Sequence, residues 1–266
     1  MNVALAQIRV ESGDVVGNVR RAESAVASAA GAGADLVALP EVFNVGYFAF
    51  DRYHRRAEPL EGETLTRLAD AAAEHGVGVL AGSIVEDLSE TTSAPTPAAE
   101  GLANTAVLFD RTGERRLVYR KHHLFGYESA ESDLLTPGER VPTVEFGGHT
   151  VAVTTCYDLR FPELYRDFAD EVTLTLVPSA WPYPRVEHWR TLSRARAVEN
   201  QFYVATINGS GRFDDAELLG RSTLYDPWGT PVASSDDDPA LVTAEADPEA
   251  VAAVREEFPA LRDRRL

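Results

Sequence analysis

The stretch VAVTTCYDLRFPEL, residues 151–164, decides how this chain is read. Its first five residues have the composition of a buried strand, and the chain then turns toward a helix, so Cys156 stands at a strand end. Strand ends in layered α/β proteins face a common crevice, where ligands bind. Two further stretches repeat the arrangement. DLVALPEVFNVGYF (35–48) puts Glu41 directly after an apolar run of buried-strand length, and ERRLVYRKHHLFG (114–126) puts Lys121 at the end of another strand.

Outward from these stretches, strands and helices alternate. NVALAQI (2–8) reads as a first strand, and Asn18 is placed to cap a helix through RRAESAVASAA. TLTRLADAAAEHG reads as a helix closed by Gly76, and VGVLAGSIVE and NTAVLFD as strands. Between them, residues 86–103 are rich in Pro, Ser, Thr and Ala and read as a mobile loop on a hairpin. Later come two strands about Gly147-Gly148, a strand in VTLTLVPSAW, a helix in EHWRTLSRARAVENQ, a strand in FYVATING, hairpin-like segments, and a short helix after Pro248. An α/β architecture of stacked sheet and helix layers follows, as one domain over 1–266.

Composition excludes several classes of function. The net charge of −17, with no basic stripe, repels nucleic acid and anionic membrane surfaces. No apolar run approaches the ~20 residues of a spanning helix, and MNVALAQIRVESGD lacks the features of a signal peptide, so a cytoplasmic location is expected. The acidic balance reads either as a hydrated, soluble surface or as adaptation to a salt-rich cytoplasm. Cys156 is the single cysteine, which rules out an intrachain disulfide and a cysteine-based metal site. The histidines are scattered, and metal binding is not expected. Lys121 is the single lysine, the remaining 24 basic residues (25 − 1) being arginine.

The three strand-end residues form a coherent set. A thiol is mostly protonated at neutral pH and needs a base or a nearby cation to become a nucleophile. Glu41 can take that proton and later hand it to a leaving amine. Lys121 offers positive charge to an oxyanion, and the backbone N–H of Tyr157 is a natural second donor. Each residue has a plainer reading: a lone Cys commonly packs a core, and a Glu after a Pro is commonly solvated. Arginine does the surface work everywhere else, which leaves the lone Lys less easily explained as surface.

The blocks LPEVFNVGYF, YRKHHLFG and CYDLRFPEL resemble the three signature blocks of the nitrilase-like carbon–nitrogen hydrolase superfamily, and the similarity continues through DRTG (110–113) and residues 178–209. The resemblance implies a four-layer α-β-β-α sandwich, a Glu41–Lys121–Cys156 triad acting through a thioester with no metal or organic cofactor, and a homodimer joined through helix layers. It also implies a second glutamate near Lys121. Glu128 and Glu131 compete for that place, and Glu131 is the better match because it lies just ahead of LLTPG (134–138). His123 matches the family's histidine and His122 its variable position.

Within the superfamily the pattern is most similar to the omega-amidase and small-amidase branch, which releases ammonia from the distal amide of small carboxylates. Such a substrate calls for a local cation, for which Arg160 and Arg185 are candidates, Arg160 reading equally as a structural ion pair. Tyr157 and Trp181 are expected to line the pocket. The alternatives are hydrolysis of an N-carbamoyl amine or amino acid, nitrile hydrolysis, and a non-catalytic scaffold or sensor on the same fold.

Overall fold

The segment Asn2–Gln7 forms strand β1 because both of its faces find apolar cover, so its run of Val, Ala and Leu needs no polar alternation. Val3 and Leu5 point into one apolar layer, Ala4 and Ala6 into another. The computed structural model describes residues 1–213 and 216–265. After β1 come helix α1 (Val15–Gly31), β2 (Leu36–Ala38), the short α2 (Tyr53–Arg56), α3 (Glu63–His75), β3 (Gly78–Asp87), β4 (Leu102–Phe109) and β5 (Arg115–Arg120). Then follow α4 (Glu131–Leu134), β6 (Thr143–Phe146), β7 (His149–Val153), α5 (Pro162–Asp167), β8 (Leu174–Ser179), α6 (Val186–Asn200) and β9 (Tyr203–Asn208). Next are β10 (Ser210–Phe213), β11 (Ala216–Leu219), β12 (Thr223–Tyr225), β13 (Pro231–Ser234), β14 (Ala240–Glu245) and α7 (Pro248–Glu257).

Two six-stranded sheets result, in the orders β14-β1-β2-β3-β4-β5 and β13-β12-β9-β8-β7-β6. In each, three parallel neighbours, β1-β2-β3 and β7-β8-β9, are flanked by antiparallel strands. Val3, Leu5, Leu36 and Leu80 of the first sheet pack directly against Val151, Val153, Leu174 and Ile207 of the second. The first sheet's outer face is covered by Val19, Val26, Leu65 and Leu68 of α1 and α3, the second's by Leu164, Tyr165, Trp189 and Ala197 of α5 and α6. These are the α-β-β-α layers of the expected sandwich. Strand ends β2, β5 and β7 are thereby brought to one end of the paired sheets.

Some local readings are corrected. Asp14, not Asn18, caps α1, its side chain accepting from the Gly17 N–H. Asn18 lies buried inside the helix and clamps Glu11 and the Asn44 carbonyl. The strand within 35–40 is confined to Leu36–Ala38. The long connection is shorter than residues 86–103, because β3 runs to Asp87 and β4 starts at Leu102. It is also tied down: Thr91 donates to Glu86, and Arg115 and Arg120 donate to the Ser93 and Pro95 carbonyls. The β10-β11 pair was not foreseen.

Candidate active site

Glu41 owes its position to an irregularity in β3. The ladder between β3 and β4 shifts register between Ala81 and Ile84. At Gly82 a Cβ would stand 1.9 Å from the Leu39 carbonyl oxygen, so only glycine lets the chain leaving β2 cross here. The next residue, Ser83, accepts the Val42 N–H at 2.8 Å. Val42 is held at φ 43°, a left-handed conformation costly for a β-branched residue. Glu41 is thus fixed by its backbone, with its side chain buried between the sheets.

The carboxylate meets a dense set of donors. Its Oε1 accepts from Lys121 Nζ at 2.8 Å and from Asn104 Nδ2 at 2.9 Å, while Oε2 accepts from the Ala180 N–H at 2.8 Å. Lys121 reaches this point because its own N–H bonds the Asn104 carbonyl, continuing the β4-β5 ladder. Its ammonium also contacts both oxygens of Glu131, at 2.8 and 2.9 Å. Glu131 opens α4 and accepts further bonds from Asn104, the Tyr47 hydroxyl and the Phe125 N–H. The segment after it is anchored by Thr136 donating to Leu102 and Gly138 donating to Lys121. Of the two competing glutamates, Glu131 therefore stands at the lysine, and Glu128 lies exposed at the pocket mouth.

Cys156 follows β7 at a sharp turn. It has φ 46°, and a 3-10 turn, Cys156–Arg160, starts at it. Strain of this kind persists only where surroundings over-determine it, and here Asp158 does so. That buried carboxylate accepts from the Thr155 N–H at 2.8 Å, from the Tyr119 hydroxyl at 2.5 Å and from the His123 N–H at 2.9 Å, with His123 Nδ1 at 2.8 Å. His123 also stacks on Phe161, with centroids 3.6 Å apart. The clamp ties the chain just beyond Lys121 to the turn that carries Cys156.

The electrostatics of the three side chains are interdependent. Burial pushes the Cys156 thiol well above its usual range and the neighbouring Glu41 charge adds to this, with Lys121 opposing. Glu41 is likewise raised, by burial first, against the pull of Lys121. Burial disfavours the Lys121 ammonium, but Glu131 and Glu41 more than offset it and its pKa ends well above normal. Burial and the Glu41 charge thus favour the thiol over the thiolate, and burial makes the Glu41 carboxylate a stronger base than a solvated one.

A cavity of about 270 Å³ opens over Cys156 and Lys121. Tyr47, Phe48, Tyr157 and Trp181 supply apolar wall, and Arg160 and Arg185 stand in it. Arg160 stacks over Trp181 at 5.0 Å and Tyr157 at 5.7 Å and contacts His188 Nδ1 at 3.3 Å; it makes no ion pair among the described residues. The structural ion pair considered for it is not formed there. Arg185 lies over the Phe125 ring, and its carbonyl receives the Trp181 indole N–H. Among the described residues no group of three or more His, Cys, Asp or Glu could hold a metal ion, and no helix is long and apolar enough to cross a membrane.

A profile of the carbon–nitrogen hydrolase family matches residues 2–256. The chain belongs to the carbon–nitrogen hydrolase family. As a member it is an enzyme acting on non-peptide C–N bonds. It is 37% identical to the 2-oxoglutaramate amidase of Paenarthrobacter nicotinovorans over 272 residues, covering 100% of this chain and 90% of that one. Among solved structures, Saccharomyces cerevisiae Nit3, a member of branch 10 of the nitrilase superfamily, is 30% identical at a TM-score of 0.88, over 100% of this chain and 97% of its own. A Glu-to-Gln variant of the amidase from Nesterenkonia sp. AN1 is 28% identical at a TM-score of 0.84, over 100% and 94%. That structure shows covalent addition of the acetamide moiety of fluoroacetamide at the active site cysteine.

Three contributors in this carbon–nitrogen hydrolase escaped the sequence reading: Asn104, Tyr47 and Asp158, the carboxylate that clamps His123. Asn104 had left a signal, an amide at the head of NTAVLFD, a segment that reads as a largely apolar strand. Tyr47 lies inside LPEVFNVGYF, but no spacing rule assigns its hydroxyl to Glu131.

Proposed function

We propose that this hydrolase removes ammonia from the terminal amide of a small carboxylate-bearing molecule, an omega-amidase-type reaction, through a thioester on Cys156. One observation carries the reading. A buried thiol on a strained turn shares its cavity with Lys121, whose ammonium is paired to the buried Glu41 behind it, and with Arg160, which has no carboxylate partner among the described residues. A relative named 2-oxoglutaramate amidase accords with such a substrate.

Glu41 takes the thiol proton as Sγ bonds the amide carbonyl carbon. The oxyanion faces Lys121 Nζ and the Tyr157 N–H. Glu41 then gives its proton to the amide nitrogen, the C–N bond breaks and ammonia leaves. In the second half Glu41 takes a proton from water, the water oxygen bonds the acyl carbon, the C–S bond breaks and the thiol recovers its proton. Amide and water have become carboxylic acid and ammonia. Glu131 holds Lys121, and Arg160 receives the substrate's distal carboxylate against the Tyr157 and Trp181 rings. An exposed apolar patch of Val198, Trp228 and Phe258 on the outer face supports pairing of two copies, and a lone buried thiol suits a reducing cytoplasm.

Intact-protein mass spectrometry during turnover of an ω-amide is expected to show the acyl mass on Cys156, with ammonia as the only volatile product. Carbon dioxide alongside ammonia would instead indicate a carbamoyl substrate. Full ammonia release by Cys156→Ala would sink the thioester mechanism.

A further inference from the structure

Strand β4 is buried along its whole length, and residues of that setting are ordinarily apolar. Asn104 breaks the pattern near the strand's start, 1% exposed. Its Nδ2 donates both hydrogens, to Glu41 Oε1 at 2.9 Å and to Glu131 Oε1 at 3.1 Å. Lys121 Nζ bonds the same two oxygens, each at 2.8 Å. An ammonium and an amide thus sit across a ring whose other corners are two like-charged oxygens. The same residue's backbone carbonyl accepts the Lys121 N–H.

The amide oxygen tells why the residue is there. Asn104 Oδ1 is buried and has no hydrogen-bond partner among the described residues. Turning the amide over would aim that oxygen at two carboxylates, so the partners fix its orientation. A core strand that served stability alone would carry an apolar residue here, since an orphaned buried acceptor is costly. What the amide supplies is donation without charge. A second cation would hold the two carboxylates equally well but would quench the basicity of Glu41.

We propose that Asn104 is a positioning residue, which holds Glu41 and Glu131 at a fixed separation around Lys121 and so orients Glu41 as the base. The inference rests on the role assigned to Glu41 above. The charged or titratable groups facing Glu41 among the described residues are Lys121 from the end of β5, Glu131 from α4, Cys156 from the nucleophile turn, and Tyr47 and Tyr53 from the segment after β2.

The test is the pH profile of kcat/KM for ammonia release by the full-length protein, with thermal melting alongside. In Asn104→Ala the loss of one charge-assisted bond to Glu41 moves the acid limb upward by roughly one unit, and kcat/KM below the limb falls about tenfold or more. The near-isosteric Asn104→Asp, which fills the same space, crowds a third carboxyl onto the pair and moves the limb further in the same direction. A lowered melting temperature with an unmoved limb in either folded variant overturns the proposal. Glu41→Gln run in parallel separates the two readings. If it retains activity, the base assignment fails and this inference fails with it; if it is inactive while the Asn104 variants keep the native limb, only this inference fails.

Discussion

Arg120 and Lys121 are consecutive cations on the same strand end, yet they sit in two different kinds of buried ion cluster. Arg120 forks onto Glu86, Nε to Oε2 at 2.7 Å and one terminal nitrogen to Oε1 at 2.8 Å. Thr91 and Thr105 donate to the same two oxygens, and the connection 88–101 closes over the pair through the Pro95 carbonyl. Lys121 points to the opposite face, as successive strand residues must, and meets two carboxylates beside the cavity. The first cluster is balanced, one charge of each sign, with Glu86 buried and Arg120 partly exposed. The second carries one more negative charge than positive and opens on the thiol. Two neighbouring base–glutamate clusters therefore differ by charge count and by what they face. An uncompensated carboxylate held beside a thiol is a base in waiting, whereas a compensated one is only structure.

Exchanging the two cations is the strongest way to break this contrast. Lys121→Arg keeps the charge but puts a planar fork where a compact ammonium serves two carboxylates and an oxyanion. Its kcat/KM for an ω-amide is expected to fall about 10³-fold, or ~4 kcal/mol of transition-state stabilisation. Arg120→Lys, one residue away, loses a bidentate bond but no catalytic contact. Its kcat/KM should stay within about threefold of the parent, with a cost of ~1–2 kcal/mol in stability that lowers Tm by roughly 2–4 °C for a chain of this size. Steady-state kinetics and a melting curve for each variant decide it. Comparable loss of activity in both would mean that the two clusters work as one.

The contrast also marks how far the sequence could be read. Cys156, Glu41 and Lys121 were legible because each follows a segment that reads as a strand, and strand ends in a layered α/β fold share a crevice. The sheet and helix layers were legible from the way strand-like segments such as NVALAQI and DLVALP interleave with helical ones and hairpins along the chain. Glu131 needed the resemblance, since nothing in ESAES tells one glutamate from another until LLTPG is seen to bond the ends of β4 and β5. Arg120 and Glu86 were invisible as partners: 34 residues separate them, and their pairing depends on the shift in β3. Asn18 was misread because a polar residue near a helix start suggests a cap, whereas here it bridges two loops from inside the helix. The β10-β11 pair had no periodic signal beyond its short length.

The smallest expected effect tests whether the catalytic cluster really is uncompensated. Glu41's pKa is raised in the folded protein, chiefly by burial and against the attraction of Lys121. A carboxyl raised on folding binds protons more readily in the native than in the unfolded state. Its contribution to stability is therefore full below the unfolded pKa and is lost as pH rises through the folded value. At neutral pH an ionised Glu41 is a net burden on the fold, which Glu41→Gln removes while keeping the shape of the side chain. The variant is expected to melt slightly above the parent at neutral pH, and the difference should shrink on acidification until it vanishes below the ordinary carboxylate range. For Glu86, neutralised by an arginine fork, no such gain is expected, and Glu86→Gln should melt lower than the parent at neutral pH because it leaves Arg120 without a counter-charge. Melting curves of both variants across that pH range make the comparison. If Glu41→Gln also melts lower at neutral pH, then Lys121 compensates Glu41 fully, and the excess charge that distinguishes the two clusters is not there.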